Sequence, residues 1–248
     1  MNKTLKRILI GLGIFVLLIA ILGGGFFYKF NSETSKMTPV ETGNISENIF
    51  ALKDEFANMY LIKTGEKYIA VDTGKDIEIV KAELKKLNVN PENVVAILLT
   101  HSDMDHVAGI PLFKNAKIYM AKYEEKMLNG EEQKVPGMNN EISRKDYILL
   151  NDNQNLEING TKIHCILTEG HTSGSMCFQI NDKYLFTGDI LSLHNGKLGE
   201  SVKFFDLNHD KTTKSISLVT KLPNVQYILT SHWGISNDYT NAVKDWKE

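Results

Sequence analysis

Cysteine is scarce in this 248-residue chain, with Cys165 and Cys177 the only two. So few exclude a disulfide framework or a Cys-rich zinc module. Both fall in apolar, strand-like runs and read as small buried side chains, with a bridge between neighbouring strands left open. A basic excess is missing as well. The formal net charge is −2, and the short Lys-rich stretch from Lys81 to Lys86 reads as the solvated face of a helix, so no nucleic-acid partner is expected. Short-period repeats are absent, as are low-complexity stretches outside the N-terminus. Hydrophobic residues at 42% and charged residues at 23% exclude global disorder.

What the chain does have is one long uncharged run, ILIGLGIFVLLIAILGGGFFY, from Ile8 to Tyr28. About twenty apolar residues suffice to cross a bilayer as a helix. Lys3, Lys6 and Arg7 precede the run, and the sparser Lys29 and Lys36 follow it, which keeps the N-terminus inside and sends the rest outside. A cleaved signal peptide is the competing reading, but the apolar run continues through Phe26 and Phe27 and no A-x-A-like triplet follows. The expected organisation is a short cytoplasmic N-terminus (1–7), a single-pass signal anchor in the cell membrane and its lipid bilayer (8–28), a polar linker (29–42) and an extracytoplasmic catalytic domain (43–248).

In that domain, strand-like runs come first (Ile45 to Leu52, Tyr60 to Thr64, Lys67 to Asp72). A helix follows with Ile77, Val80, Leu84 and Leu87 at helical spacing, ended by Pro91. Val94 to Thr100 is a buried strand. The second half repeats the theme, with strands over Thr161 to Leu167, Met176 to Ile180 and Lys183 to Phe186, a helix over Asp210 to Leu222, and a strand over Val225 to Leu229. Two such halves predict an α/β sandwich, two sheets face to face with helices outside. Leu128 to Lys145 and Leu191 to Lys203 match no period and are expected as loops over a site.

The chemistry concentrates in THSDMDHVAG, Thr100 to Gly109, which packs His101, Asp103, Asp105 and His106 just after a buried strand. Imidazole and carboxylate are ligand types for zinc, iron or manganese. His171 in EGHTSGS, Asp189 in FTGDI and His232 in LTSHWG each follow a strand-like run, beside a small residue that permits a tight turn. This ordered series resembles the metallo-β-lactamase superfamily from about Ile45 to Trp246.

The resemblance implies a four-layer αββα sandwich and two divalent metal ions, with zinc first and iron or manganese as alternatives. It assigns His101, Asp103 and His171 to one site and Asp105, His106 and His232 to the other, with Asp189 bridging. Asp72, in VDTG, takes the position behind a metal-ligating histidine, where a carboxylate fixes the imidazole's tautomer. His164, His194 and His209 match no motif. His164 reads as structural, His194 as a candidate substrate contact and His209 as a surface residue.

The implied activity is hydrolysis of a small-molecule ester, lactone, thioester, lactam or phosphoester by a metal-bound hydroxide, with Asp105 and Asp189 orienting the nucleophile. The chain departs from the family at Asp103, where most members carry histidine. The extra negative charge lowers the Lewis acidity of the first metal and favours neutral substrates. A carboxylate there also occurs in di-iron flavoproteins of the superfamily, which makes a di-iron oxidoreductase the alternative, although nothing here supplies a flavin domain. A metal-binding scaffold is the non-enzymatic reading.

Overall fold

The computed structural model describes residues 2–247; Met1 and Glu248, the outer ends of the expected N-terminal stub and catalytic domain, lie outside the described residues. The chain divides into two compact units between Met37 and Thr38. The first unit holds helix α1 (Lys3–Thr34), whose N-terminus is capped by the Asn2 side chain accepting from the Thr4 N–H at 3.1 Å. Among the described residues it is the one helix long and apolar enough to cross a membrane. Its uncharged stretch rises by about 30 Å at 1.5 Å per residue, matching a hydrocarbon core. The helix continues into the segment expected as linker, where Glu33 pairs with Lys29 and Lys36.

In the second unit, β1 (Gly43–Ser46), β2 (Ile49–Asp54), β3 (Ala57–Thr64), β4 (Lys67–Val71), β5 (Val94–Leu98), β6 (Lys117–Ala121) and β7 (Tyr147–Leu150) form one sheet in chain order. Pairing is antiparallel as far as β4 and parallel beyond it. Next come β8 (Gln154–Ile158), β9 (Thr161–Leu167), β10 (Met176–Ile180), β11 (Tyr184–Gly188), the separate hairpin β12 (Leu191–His194) and β13 (Lys197–Glu200), then β14 (Tyr227–Thr230) and β15 (Ile235–Ser236). The second sheet runs β15-β14-β11-β10-β9-β8, with β14 parallel to β11.

Period-two alternation splits each strand between two cores. On β4, Ile69 and Val71 face the other sheet while Ala70 faces outward; on β3, Tyr60 and Ile62 face in and Met59 and Leu61 out. The inner faces meet through residues such as Tyr60, Leu98, Phe178 and Phe186. Helix α2 (Ile77–Lys86) covers the outer face of the first sheet with Val80 and Leu84. Helices α5 (His209–Val219) and α6 (Tyr239–Val243), which follow the single turn α3 (Met104–Val107) and the short α4 (Glu125–Asn129), cover the second sheet with Ile216, Val219, Tyr239 and Ala242. The result is the expected four-layer sandwich.

Two local expectations need correction. Helix α2 stops at Lys86, because Asn88 turns the chain with φ of 55°, and Pro91 instead opens a 3-10 turn. The stretch from Leu191 is a hairpin and not a loop: Asn195 and Gly196 sit at φ of 53° and 74°, the double positive φ that a tight two-residue turn requires. Of the stretch expected as a loop from Leu128 to Lys145, Leu128 and Asn129 belong to the last turn of α4, and residues 130–145 contain no strand or helix.

The register also decides the fate of the cysteines. Cys165 pairs opposite Phe178 and Cys177 opposite Ile166, an offset of one residue that sends the two thiols to opposite faces of the sheet. Cys165 enters the inter-sheet core and Cys177 the core under α5. They do not bridge, and burial pushes both thiols up to about 12.

A buried carboxylate joins the two loops that carry most of the candidate site residues. Glu124, in the turn after β6, is 1% exposed. Its Oε1 accepts from the Ser102 N–H at 2.7 Å and the Ser102 hydroxyl at 2.5 Å, and its Oε2 from the Thr172 hydroxyl at 2.6 Å and the Gly174 N–H at 3.0 Å. One side chain thus holds the loop after β5 against the loop before β10.

Two outcomes are expected. A thiol reagent at pH 8 should modify neither cysteine in the folded protein and both after unfolding; rapid labelling of the native state, or a disulfide in the peptide map, would contradict the register. Glu124→Ala should destabilise the protein by about 2–5 kcal/mol, because each N–H left buried without a partner costs about 1–3 kcal/mol. Denaturant unfolding measures this, and a loss within about 0.5 kcal/mol would show that the clamp is dispensable.

Candidate metal centre

The centre forms where strands end. β4 delivers Asp72, β5 delivers His101 and the α3 turn with Asp105 and His106, β11 delivers Asp189, β14 delivers His232, and the β9–β10 loop delivers His171. Such crowding demands residues without Cβ at two of these turns. A Cβ on Gly188, before Asp189, would lie 2.7 Å from Thr100 Oγ1, and one on Gly170, before His171, would lie 2.2 Å from the Thr212 nitrogen; φ is positive at both.

All seven predicted ligand residues come together. His101, Asp103 and His171 form one group, Asp105, His106 and His232 a second, and His101, His106 and Asp189 a third between them; within each, one ligand atom per residue lies within 4.8 Å of the others. The edges have the right length. In the first group His101 Nε2 and His171 Nε2 lie 3.4 and 3.1 Å from Asp103 Oδ2. In the second, His106 Nε2 and His232 Nε2 lie 3.7 and 3.4 Å from Asp105 Oδ2. A tetrahedral ion with bonds of about 2.1 Å separates its ligands by about 3.4 Å. Asp189 reaches both groups, with Oδ2 3.6 Å from His171 Nε2 and 2.9 Å from His232 Nε2.

Each imidazole is aimed by its other nitrogen. His106 Nδ1 donates to Asp72 Oδ2 at 2.9 Å, and Asp72 also accepts from the Thr100 N–H and hydroxyl, both at 2.8 Å. His171 Nδ1 donates to Asp206 Oδ1 at 3.1 Å and His232 Nδ1 to the Phe56 carbonyl at 2.8 Å. The Thr100 hydroxyl, whose proton goes to Asp72, accepts from His101 Nδ1 at 2.9 Å. Carboxylates and carbonyls only accept, so the tautomers follow, and every Nε2 faces the centre. His101 Nε2, His106 Nε2 and Asp189 Oδ1 are buried without a hydrogen-bond partner. Such atoms call for an occupant, and imidazole nitrogens with carboxylate oxygens suit a divalent transition metal.

The electrostatics of three imidazoles agree, while burial and the neighbouring His106 hold His101 below its ordinary pKa. Burial opposes protonation of His106, yet Asp189, Asp105 and Asp72 outweigh it and hold the imidazole well above its ordinary pKa. His232 is raised by Asp189 against the same burial, and His171 is raised to about 9 against burial and the Lys134 ammonium, chiefly through Asp103 and Asp206. Asp189 is held well below the carboxylate range, because His232 and His106 overcome its burial. Imidazoles that keep protons in a buried place report surplus negative charge, which a metal cation neutralises by displacing those protons.

Asp103 has a different environment. Burial raises its pKa, but the Lys134 ammonium, in ion-pair contact with Oδ2, and His101 hold it well below the ordinary value. Asn140 Nδ2 donates to Oδ1 at 2.9 Å and to the Ser102 hydroxyl at 2.9 Å. Both partners come from the loop over residues 130–146, which therefore does reach the site.

Sequence reasoning missed Lys134, Asn140, Glu124 and Asp206. It also placed His209 at the surface, whereas the His209 side chain is 16% exposed and its Nδ1 donates to Asp206 Oδ2 at 2.7 Å, on the carboxylate that steers His171. The general signal available for Asp206 and His209 was an acidic residue and a histidine at a helix start. His164 lies in mid-strand on β9, away from the cluster. His194 is exposed, bonded to the Ser192 hydroxyl at 3.0 Å with its ring 5.2 Å from that of Trp233.

Known proteins resemble this chain in sequence and in fold. The family model described as metallo-beta-lactamase superfamily covers residues 52–232. A hydroxyacylglutathione hydrolase of Buchnera aphidicola subsp. Baizongia pistaciae is 32% identical over 174 residues, 69% of this chain and 60% of that protein. A probable polyketide biosynthesis zinc-dependent hydrolase of Bacillus subtilis, PksB, is 33% identical over 124 residues, 49% of this chain and 48% of its own. The chain thus spans less than two thirds of either relative. Among solved structures, the subclass B3 metallo-beta-lactamase BJP-1 of Bradyrhizobium japonicum superposes with a TM-score of 0.61 at 18% identity, covering 79% of both chains. A metallo-beta-lactamase family protein of Thermus thermophilus gives 0.62 at 17%, covering 82% of this chain and 79% of its own. These likenesses show the fold, and the family model extends over most of the chain: it belongs to the metallo-β-lactamase superfamily.

Proposed function

We propose that this protein is a membrane-anchored, metal-dependent hydrolase whose centre lies outside the cytoplasm. The convergence of four outwardly anchored imidazoles and three carboxylates, with His101 Nε2, His106 Nε2 and Asp189 Oδ1 buried and unpartnered among them, carries the reading. His101, His106, His171, His232, Asp103, Asp105 and Asp189 are the residues that would hold metal, with zinc the first choice. A bound divalent metal supplies a water acidified towards neutral pH and polarisation of the scissile carbonyl or phosphoryl group.

The chain's own groups do the rest. Asp72, Asp206 and the Phe56 carbonyl fix the tautomers of His106, His171 and His232. Asp189 is nearly enclosed and Asp103 is held by Lys134, so Asp105, 21% exposed, is the carboxylate placed to orient an attacking water. A side-chain nucleophile is disfavoured. Both thiols are buried and held protonated, the Ser102 hydroxyl donates to Glu124, and the Ser173 hydroxyl donates to Glu132. The hydrolases named among the relatives support a hydrolytic reaction, and the substrate bond remains within the ester, lactone, thioester, lactam and phosphoester set.

Membrane anchoring rests on α1. Its apolar side chains are exposed along its length, from Ile8 at 60% to Phe27 at 66%, an arrangement that water disfavours and lipid does not. The positive residues before it favour an external domain.

Full-length protein purified in detergent should carry transition metal by elemental analysis, and chelation should abolish hydrolysis of a neutral chromogenic ester. Absence of metal with no uptake on titration would defeat the reading. Asp72→Ala should weaken metal affinity about 10–100-fold, since it removes the carboxylate that aims His106; an unchanged affinity in a competition titration would assign Asp72 to the turn alone. For topology, Ser35→Cys gives an accessible thiol beside two buried ones. A membrane-impermeant maleimide should label it in intact cells, and labelling only after lysis would place the domain inside.

A further inference from the structure

The two sides of the centre differ in a way that the metal-binding reading alone does not require. Apart from Asp54 Oδ1, the buried side-chain atoms without a partner among the described residues are His101 Nε2, His106 Nε2 and Asp189 Oδ1. In the second group His232 Nε2 meets Asp189 Oδ2 at 2.9 Å, inside the centre, whereas the ligand atoms of Asp103 and His171 are also engaged by a cation from outside it. Lys134 Nζ contacts Asp103 Oδ2 and lies 2.8 Å from His171 Nε2. That position, between the Asp103 carboxylate and the His171 ring nitrogen, is where an ion held by the first group would sit. The two occupants exclude each other.

Lys134 is not a dangling side chain. It is 19% exposed, and its neighbours are pinned: Glu132 accepts from Lys126 and from the Ser173 hydroxyl, while Gln133 accepts from the Gly137 N–H at 2.8 Å and donates to Asn139 at 2.6 Å. Asn140 from the same loop holds the other oxygen of Asp103.

Building on the metal-dependent reading, and narrowing its ligand set by Asp103 and His171, we propose that Lys134 fills the first site as a built-in cation, so that the chain holds one resident metal ion, at Asp105, His106, His232 and Asp189. The departure at Asp103 is then half of a lysine–carboxylate pair that replaces an ion. His101, whose Nε2 belongs to the group with His106 and Asp189, faces the resident ion.

The test is a zinc titration of metal-stripped, full-length protein in detergent, followed by calorimetry and by elemental analysis after desalting. Wild type should take up one equivalent, Lys134→Arg one, and Lys134→Met two, with thermal melting to verify that each variant is folded. His171→Ala should keep the tight equivalent and His232→Ala should lose it. Two tight equivalents in wild type, or a single one in folded Lys134→Met, would overturn the proposal while leaving a metal-dependent enzyme. No uptake by either would remove both readings.

Discussion

Each imidazole of the centre commits its Nδ1 proton to an acceptor outside it, and that commitment turns four flexible rings into four fixed lone pairs. The acceptors are scattered: a threonine hydroxyl after β5, a carboxylate after β4, a carbonyl before β3 and a carboxylate before α5. The His101 bond is local and the His106 bond joins neighbouring strands of the first sheet, but the His232 bond needs both sheets in register and the His171 bond needs the segment before α5 in place. The four layers are therefore a condition of the chemistry as well as its support, since a ring free to rotate would present either nitrogen or neither.

The sandwich meets this condition with ties that cross between layers. The Tyr60 hydroxyl, on the first sheet, donates to the Thr230 carbonyl at 2.6 Å on the second, two residues before His232. The Thr100 carbonyl accepts from the Met176 N–H at 2.8 Å, linking the ends of β5 and β10. Glu124 then fastens the loops beyond those ends. Close glycine contacts at Gly170 and Gly188 let backbones approach where any side chain would separate them.

The legible part of the site was the part compressed in the chain. His101, Asp103, Asp105 and His106 fall within six positions after an apolar run, and Asp72, His171, Asp189 and His232 sit in short turns with distinctive neighbours. Asp206, Lys134, Asn140 and Glu124 were not legible, because each acts across a tertiary contact from a stretch with no pattern of its own. Lys134 in particular lies in a segment without helix or strand, so nothing local distinguishes it from a solvated lysine. The fold shows the same division. Long amphipathic elements such as α2 were readable, while β12 and β13, at four residues each, were too short to display alternation, and the Asn195–Gly196 turn between them was overlooked. The positive φ of Asn88, which no spacing in the sequence announces, ends α2 before Pro91 is reached.

The Glu124 clamp has a consequence for how the protein is loaded. Its bonds, like those of Asp72 and Asp206, join protein to protein and include no position that an ion would take. In a zinc finger the metal contributes the folding free energy outright, so the empty chain is unfolded. Here three packed cores and a metal-independent scaffold shape the receptacle beforehand. Occupancy is then decoupled from folding: the chain can be synthesised and folded before it meets an ion, and can lose one and regain it without passing through an unfolded state.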